Sequence, residues 1–336
     1  MNLWLRSNSP SVLGLDIGGA NLKAATADGR ALSVPFPLWR EPQNLSKRLR
    51  EIVRQFEPDR LAVTMTGELC DCFATKREGI HAILDAVTRA VPKTPIQIWS
   101  TQGRFVNVAE ARAQPLRVAA ANWHALATFV GRFAPEGTAL LIDIGSTTTD
   151  IIPLWQGRPV PRGLTDPERL TTRELVYTGV RRTPICAVLR AGVARELFAT
   201  MHDVYLVLKK LPEEPRDLDT ADGQPATRAA AHARLARMRC DDQEHFAWDQ
   251  AVGLARAASY AQVHDVARAV QWVAGSLPAS PAVVLVSGTG EFLARAALKA
   301  CAILHDYRVV SLQKKLSPAV SAAACAYALA VLAEEE

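Results

Sequence analysis

Two stretches of the chain share one pattern of apolar and polar positions. In residues 140 to 154, LLIDIGSTTTDIIPL, a buried-looking strand breaks at Gly145 into four consecutive hydroxyl residues and an Asp before apolar sequence resumes. Residues 12 to 26, VLGLDIGGANLKAAT, do nearly the same. Each reads as apolar strand, Asp-Ile-Gly, short polar stretch, second strand. Residues 11 to 34 are therefore expected to form a hairpin of two strands, with Val12, Leu13, Leu15 and Ile17 buried and Gly18-Gly19 at the turn. Residues 139 to 160 are expected to form a second hairpin.

Between and after them the period changes. Residues 44 to 57 place Leu45, Leu49, Ile52, Val53 and Phe56 at helical spacing. DRLAVTMTGE predicts a strand ending at Gly67, EGIHAILDAVTRAVP a helix closed by Pro92, and IQIWST another strand. FVNVAEARAQP leads to a helix around NWHALATFVGRF, with Asn122 as its N-cap and Trp123 in the core. From Pro184 to Gly275 the pattern is almost wholly helical and rich in Ala and Arg, interrupted by PEEPRDLDTADGQPAT. AVVLVSGTGEFLARAAL then reads as strand, Gly turn and helix, and YRVVSL as a last strand. The tail, residues 317 to 336, predicts a helix of small residues with Ser317 as N-cap and Pro318 first, suited to a seam where backbones approach closely.

Length turns this list into an organisation. A chain of 336 residues exceeds the roughly 250–300 at which one hydrophobic core stops growing, so two lobes are expected. Residues 1–118 form the first and 119–316 the second, with 184–275 as a helical insertion and 317–336 at the seam. The net charge of +5 does not signal nucleic acid, because thirty of the 39 basic residues are Arg scattered among Ala along apparent helices. No apolar run approaches the roughly 20 residues that span a bilayer, and MNLWLRSNSPSVLGLD lacks an export signal, so a soluble, cytoplasmic protein is expected. Six cysteines without framework spacing fit reduced thiols; Cys70 and Cys72, with no second pair, are weak zinc ligands, and the dispersed histidines have no metal spacing.

The hairpin turns carry the candidate chemistry. Gly-rich turns point successive amides into one concavity that suits an anion. This nominates Gly18, Gly19 and Asn21 in the first turn and Gly145, Ser146, Thr147 and Thr148 in the second, with Thr149 as a further hydroxyl and Lys23 as a point charge. Asp16 and Asp143 would repel a bare phosphate, so their place suggests magnesium, directly or through water, between them and the anion. One such turn is commonplace; two copies 127 positions apart, followed by a third strand and turn at Gly288 and Gly290, predict a clamp on one polyphosphate.

The order of these parts resembles the actin, sugar kinase and Hsp70 superfamily, in which two lobes close over a nucleotide. Within it, DIGSTTTD and VYTGVRRTPI resemble the hydantoinase and oxoprolinase branch. TMTGELCDCFATKREGI, AAANWHALA, TADGQPATRAAAHARLARM and SGTGEFLA are similar to a smaller group linked to tetrahydromethanopterin-dependent one-carbon metabolism. The resemblance implies an α/β, two-lobed actin/hexokinase-like (ribonuclease H-like) fold. It also implies the group's chemistry: condensation of an aminomethylfuran diphosphate with the phenol of γ-glutamyltyramine, in methanofuran biosynthesis, releasing pyrophosphate. Whether ATP or ADP binds is left open by the short loop after Gly290, and neither is expected to be consumed. One departure stands out, since the branch carries Thr-x-Thr-Asp after its first Gly-Gly and this chain has Ala20, Asn21, Leu22 and Lys23.

Glu68 sits where kinases of the superfamily often place an acidic base, with Asp71 as the runner-up. Arg181 and Arg182 could neutralise diphosphate or hold a substrate carboxylate, one of them being a better expectation than both. Asp219, Asp222 and Gly223 read as a turn and helix start that only the family likeness places near a site. The helical insertion could close the cleft or meet a second copy of the chain. An ATP-dependent kinase or amidohydrolase, and a non-catalytic nucleotide sensor, stand as alternative functions.

Overall fold

The computed structural model describes residues 11–336, so the expectation of no export signal at residues 1 to 10 lies outside the described residues. The chain builds two sheets of the same internal order. In the first, β1 (Val12–Ile17), β2 (Asn21–Thr26), β3 (Ala31–Pro35), β4 (Arg60–Met65), β5 (Ile96–Trp99) and β6 (Phe105–Val106) run β3-β2-β1-β4-β5-β6. In the second, β7 (Thr138–Ile144), β8 (Thr149–Trp155), β10 (Leu175–Val176), β11 (Val283–Ser287) and β12 (Arg308–Ser311) run β10-β8-β7-β11-β12, and β9 (Arg158–Pro159) pairs with β8. Each core is an antiparallel hairpin followed by two parallel strands: β2-β1-β4-β5 corresponds to β8-β7-β11-β12.

The first hairpin is a three-stranded unit rather than a pair. Gly29, at φ +91°, turns the chain after β2, and β3 pairs antiparallel with it from Asn21↔Pro35 to Ala25↔Ala31. β3 is a half-exposed edge strand closed by Pro35, so its apolar alternation is too weak to stand out in sequence.

Two helices lie between the sheets, Asn122–Val130 and Ala324–Glu334, packed on each other. The tail is not one continuous helix. Ser317 caps a short piece, Pro318–Ala322, by accepting from Val320 N at 3.3 Å, and the chain steps at Ala323 before Ala324–Glu334 lies down on β1. The approach is backbone to backbone: a Cβ on Gly14 would stand 1.8 Å from Ala326 O. Leu329 and Ala333 join Val12, Ala62 and Trp99 in one cluster, while Cys325 and Ala328 join Leu141, Ile152 and Leu285 in another, so this one helix serves both sheets. Asn122 is not the cap of its helix. Ala121 holds that place and Asn122 is the first helical residue, its amide turned toward Cys325 Sγ at 3.8 Å.

The Pro184–Gly275 region contains four helices, Ile185–Val188, Met201–Val207, Arg228–Arg237 and Trp248–Ala274. Residues 189 to 200 and 208 to 227 are largely irregular, so the region is less helical than its Ala/Arg pattern suggests. Charge pairs explain how such loops hold: Asp222 accepts from the buried Arg234 at 2.9 Å and from the exposed Arg237 at 2.8 Å, and Arg234 also pairs with the buried Asp203. Thr227, accepting from Ala230 N at 3.3 Å, starts the helix that follows. The whole region packs on the second sheet, Val204, Tyr205, Val266 and Val270 sharing a cluster with Leu140, Ile142 and Ile151. Among the described residues no helix is long and apolar enough to cross a membrane.

Candidate active site

Both hairpin turns end their first strands at the same place in the repeat, and both are buttressed from below. In the first, Gly18 N donates to Asn21 O at 3.0 Å, while Thr66 N and Gly67 N donate to Ile17 O at 2.9 and 3.1 Å. In the second, Gly145 N donates to Thr148 O at 2.9 Å, and the turn's carbonyls accept from Val180, Arg181 and Arg182 at 2.9–3.1 Å. Among the described residues, the amides of Gly19, Ala20, Ser146, Thr147 and Thr148 donate to no protein group. Two sets of unspent N–H donors result, as an anion site requires. Gly288 and Gly290 act as spacers. Gly288 is at φ +84°, where a Cβ would meet Ile144 O at 2.2 Å, and Gly290 N donates to that same carbonyl at 2.9 Å. Thr149 is not part of the concavity, because its hydroxyl is buried and donates to Thr178 O at 2.8 Å.

The strand register sets the charges beneath the turns. Asp16 lies opposite Lys23 on β2 and beside Thr64 on β4; Asp143 occupies the equivalent place, opposite Asp150 on β8 and beside Ser287 on β11. The repeat therefore puts a cation in one half where the other has a third carboxylate. Burial raises the Asp16 pKa and Lys23 lowers it part of the way back. Burial works against the Lys23 ammonium, but Asp16, Cys325 and Asp143 outweigh it and leave its pKa raised. Burial and then Asp150 push Asp143 up to about 6. Charges from both hairpins act on one another, so Asp16, Lys23 and Asp143 lie near one another beneath the two turns. Among the described residues, Asp16 Oδ1, Thr64 Oγ1 and Ser287 Oγ are buried without a hydrogen-bond partner of good geometry, although Ser287 lies close enough to favour the charged form of Asp143.

The role of Asp150 is not visible in the sequence because its partner, Arg169, lies 19 residues along the chain and reaches it only in the fold. It accepts from Arg169 at 2.6 Å, and Arg169, 1% exposed, stacks 4.0 Å from the Trp123 ring centre. This pairing offsets the extra carboxylate of the second half only in part, and among the described residues Asp143 itself makes no salt bridge.

Glu68 follows β4 directly. Gly67 packs against Gly18, where a Cβ would meet Gly18 C at 3.2 Å, and this brings Glu68 beside the first turn. The side chain is 1% exposed, with Oε2 unpartnered. Burial lifts its pKa to about 7 against the smaller pull of Lys76. Lys76 Nζ bonds Asp166 Oδ2 at 3.2 Å, joining the two lobes next to this carboxyl. Asp71, the alternative base, is exposed to solvent. Cys70 lies over Gly19, and burial, with Cys72 next in effect, pushes its thiol up to about 11, which leaves it protonated at neutral pH.

A model of the hydantoinase/oxoprolinase family matches residues 59–336. The chain belongs to that family. The matched segment begins beyond the first hairpin, whose residues 20 to 23 depart from the branch pattern. Along 97% of this chain, at 32% identity over 336 residues, it is similar to a protein of Methanocaldococcus jannaschii named (4-{4-[2-(gamma-L-glutamylamino)ethyl]phenoxymethyl}furan-2-yl)methanamine synthase, 98% of which is covered. A Methanococcus vannielii protein of the same name is 28% identical over 209 residues, 60% of this chain and 93% of its own. Among solved structures, an acetone carboxylase in nucleotide-free form superposes with a TM-score of 0.56 at 11% identity, over 96% of this chain and 70% of that one. A ROK family glucokinase from Streptomyces griseus, in complex with glucose and AMPPNP, does so with a TM-score of 0.50 at 15% identity, over 97% and 100%. The fold is thus the actin/hexokinase-like one.

Within this family member the two neighbouring arginines differ. Arg181 is held by Asp217 at 2.5 Å and faces His202, whose pKa burial lowers to about 4 with Arg181 adding to the effect. Arg182 is exposed, and its guanidinium stands 5.3 Å from the Trp39 ring centre. Asp222, tied to Arg234 and Arg237, is spent on holding its loop. One group of potential metal ligands does come together among the described residues, Asp241, Asp242 and His245, but all three are exposed and Asp242 already accepts from Glu244 N at 2.9 Å.

Proposed function

We propose that this chain is a transferase of methanofuran-type cofactor biosynthesis, joining an aminomethylfuran diphosphate to the phenol oxygen of γ-glutamyltyramine, or of a related acceptor, with release of pyrophosphate. The two turns carry this reading: both keep unspent amides, a half-buried Lys23 lies opposite Asp16 beneath the first, and a buried carboxyl with a pKa near 7 lies beside that turn. Similarity along nearly the whole chain to the M. jannaschii synthase supports the choice of substrates.

In the reaction, the phenol oxygen bonds to the furan methylene carbon as that carbon's bond to the diphosphate oxygen breaks. The bonding electron pair leaves on pyrophosphate, and the phenol proton passes to Glu68. A carboxyl with a pKa of about 7 is well matched to that task, being partly ionised at neutral pH and far more basic than an ordinary Glu. Lys23 and the amides of Gly19, Ser146 and Thr147 stabilise charge where it develops, on the departing oxygen. No phosphoryl group moves, so ATP is not consumed.

Asp16 and Asp143 are the residues that would hold magnesium. They are oxygen donors, and among the described residues Asp16 Oδ1 is buried without a partner and neither carboxylate is tied up in a salt bridge of the kind that occupies Asp150. When bound, the ion supplies Lewis-acid neutralisation of the leaving diphosphate.

The test is a reaction of purified protein with magnesium, aminomethylfuran diphosphate and γ-glutamyltyramine, ATP omitted. Pyrophosphate should appear in equal amount with the ether. ATP hydrolysis in step with product, or refusal of every diphosphate offered, would replace this reading with the ATP-dependent kinase or amidohydrolase.

A further inference from the structure

Trp39 and Arg182 belong to different lobes, yet each is fastened to one of the two turns. Arg182 N donates to Ser146 O at 2.9 Å in the second turn. Leu38 N, one residue before Trp39, donates to Gly19 O at 2.9 Å in the first. The guanidinium carbon of Arg182 lies 5.3 Å from the centre of the Trp39 ring, so this contact spans the cleft between the turns. Among the described residues no carboxylate pairs with Arg182, whereas its neighbour Arg181 is committed to Asp217. Arg182 also acts electrostatically on Cys70, whose side chain lies over Gly19. Trp39 is half-buried, with its ring face available to a cation and hence to other groups that stack.

We infer that Trp39 and Arg182 form the selectivity element of the cleft, recognising a diphosphate that carries a flat ring one methylene away. Resting on the diphosphate reading of the site, this adds a requirement for the ring. Arg182 is anchored next to the second turn and carries a free planar fork, which suits bidentate binding of a phosphate. In that position it leaves the face of Trp39, and the substrate's ring takes its place against the indole. In the free protein the two side chains stand together, the guanidinium over the indole. Pyrophosphate, lacking a ring, uses Arg182 and the turns but not Trp39.

Isothermal titration in magnesium buffer with two probes, pyrophosphate and furfuryl diphosphate, separates these roles. Trp39→Ala should weaken furfuryl diphosphate by about tenfold and change pyrophosphate by less than about twofold. Trp39→Leu, which keeps bulk without an aromatic face, should behave the same way and stands in if the Ala variant fails to fold. Trp39→Phe should keep most of the preference for the ring, and Arg182→Met should weaken both probes. Equal loss of both probes in the nonaromatic Trp39 variants, or loss of neither, overturns the assignment while leaving the diphosphate site intact. A wild-type protein that binds neither probe overturns the diphosphate reading and this assignment with it.

Discussion

Replacing Glu68 with Gln preserves the shape of a buried side chain and removes its titration, so the cost of keeping that acid buried becomes measurable. Burial, opposed by Lys76 and reinforced by Asp166, moves its pKa from 4.5 to about 7. Between those values the folded chain holds a proton that the unfolded chain has released. Wild-type stability should therefore be fully present below the unfolded value and be lost as pH rises through the folded one, levelling off above about pH 7. A shift of this size corresponds to about 3 kcal/mol, because one unit is about 1.4 kcal/mol. Asp16 and Asp143 are also raised but are common to both proteins, so they cancel in the difference between wild type and Glu68→Gln. Urea unfolding of the two proteins from about pH 4 to about pH 8 should show the variant gaining on the wild type by about 3 kcal/mol across that range. The same variant should turn over on the order of a hundredfold more slowly while keeping its affinity for pyrophosphate. A difference in stability that stays flat with pH would mean that Glu68 titrates like an exposed acid, and its assignment as the base would fall.

Two further outcomes probe the frame around the cleft. Gly14→Ala places a Cβ 1.8 Å from Ala326 O, so the terminal helix must move off β1; we expect a loss of about 1–3 kcal/mol in urea unfolding, and an unchanged midpoint would mean that this helix is not docked there. Arg169→Met leaves Asp150 buried without its partner and should cost about 3–5 kcal/mol, most of it restored by adding Asp150→Asn, with the double-variant cycle as the measurement.

The pattern of apolar positions along the chain determined most of the secondary structure and both hairpin turns, because these depend on residues a few positions apart. The run Val12 to Ile17 and the run Leu140 to Ile144 are buried strands on any arrangement of the rest, and Gly18-Gly19 and Gly145 end them wherever the strands pack. The small-residue tail likewise announced a close helix contact. β3 and the irregular stretches of the insertion were less legible, since an edge strand alternates weakly and a loop held by Asp222 and Arg234 has a composition much like a helix.

What the charged residues do was decided by tertiary structure alone. Asp16 and Asp143 occupy equivalent places in two similar motifs, but register sets Lys23 against the first and Asp150 against the second, and Arg169 then pairs with Asp150. Glu68 and Asp71 are three residues apart in sequence; burial against the first turn, beside a Lys76–Asp166 bridge between residues 90 positions apart, separates a pKa near 7 from an exposed acid. Arg181 and Arg182 are adjacent, yet one meets Asp217 from the helical region and the other meets Trp39 from the opposite lobe. Local periodicity reports which side of an element is apolar. The energy of a charge depends instead on the dielectric and the partners around it, and the chain brings those together only by folding.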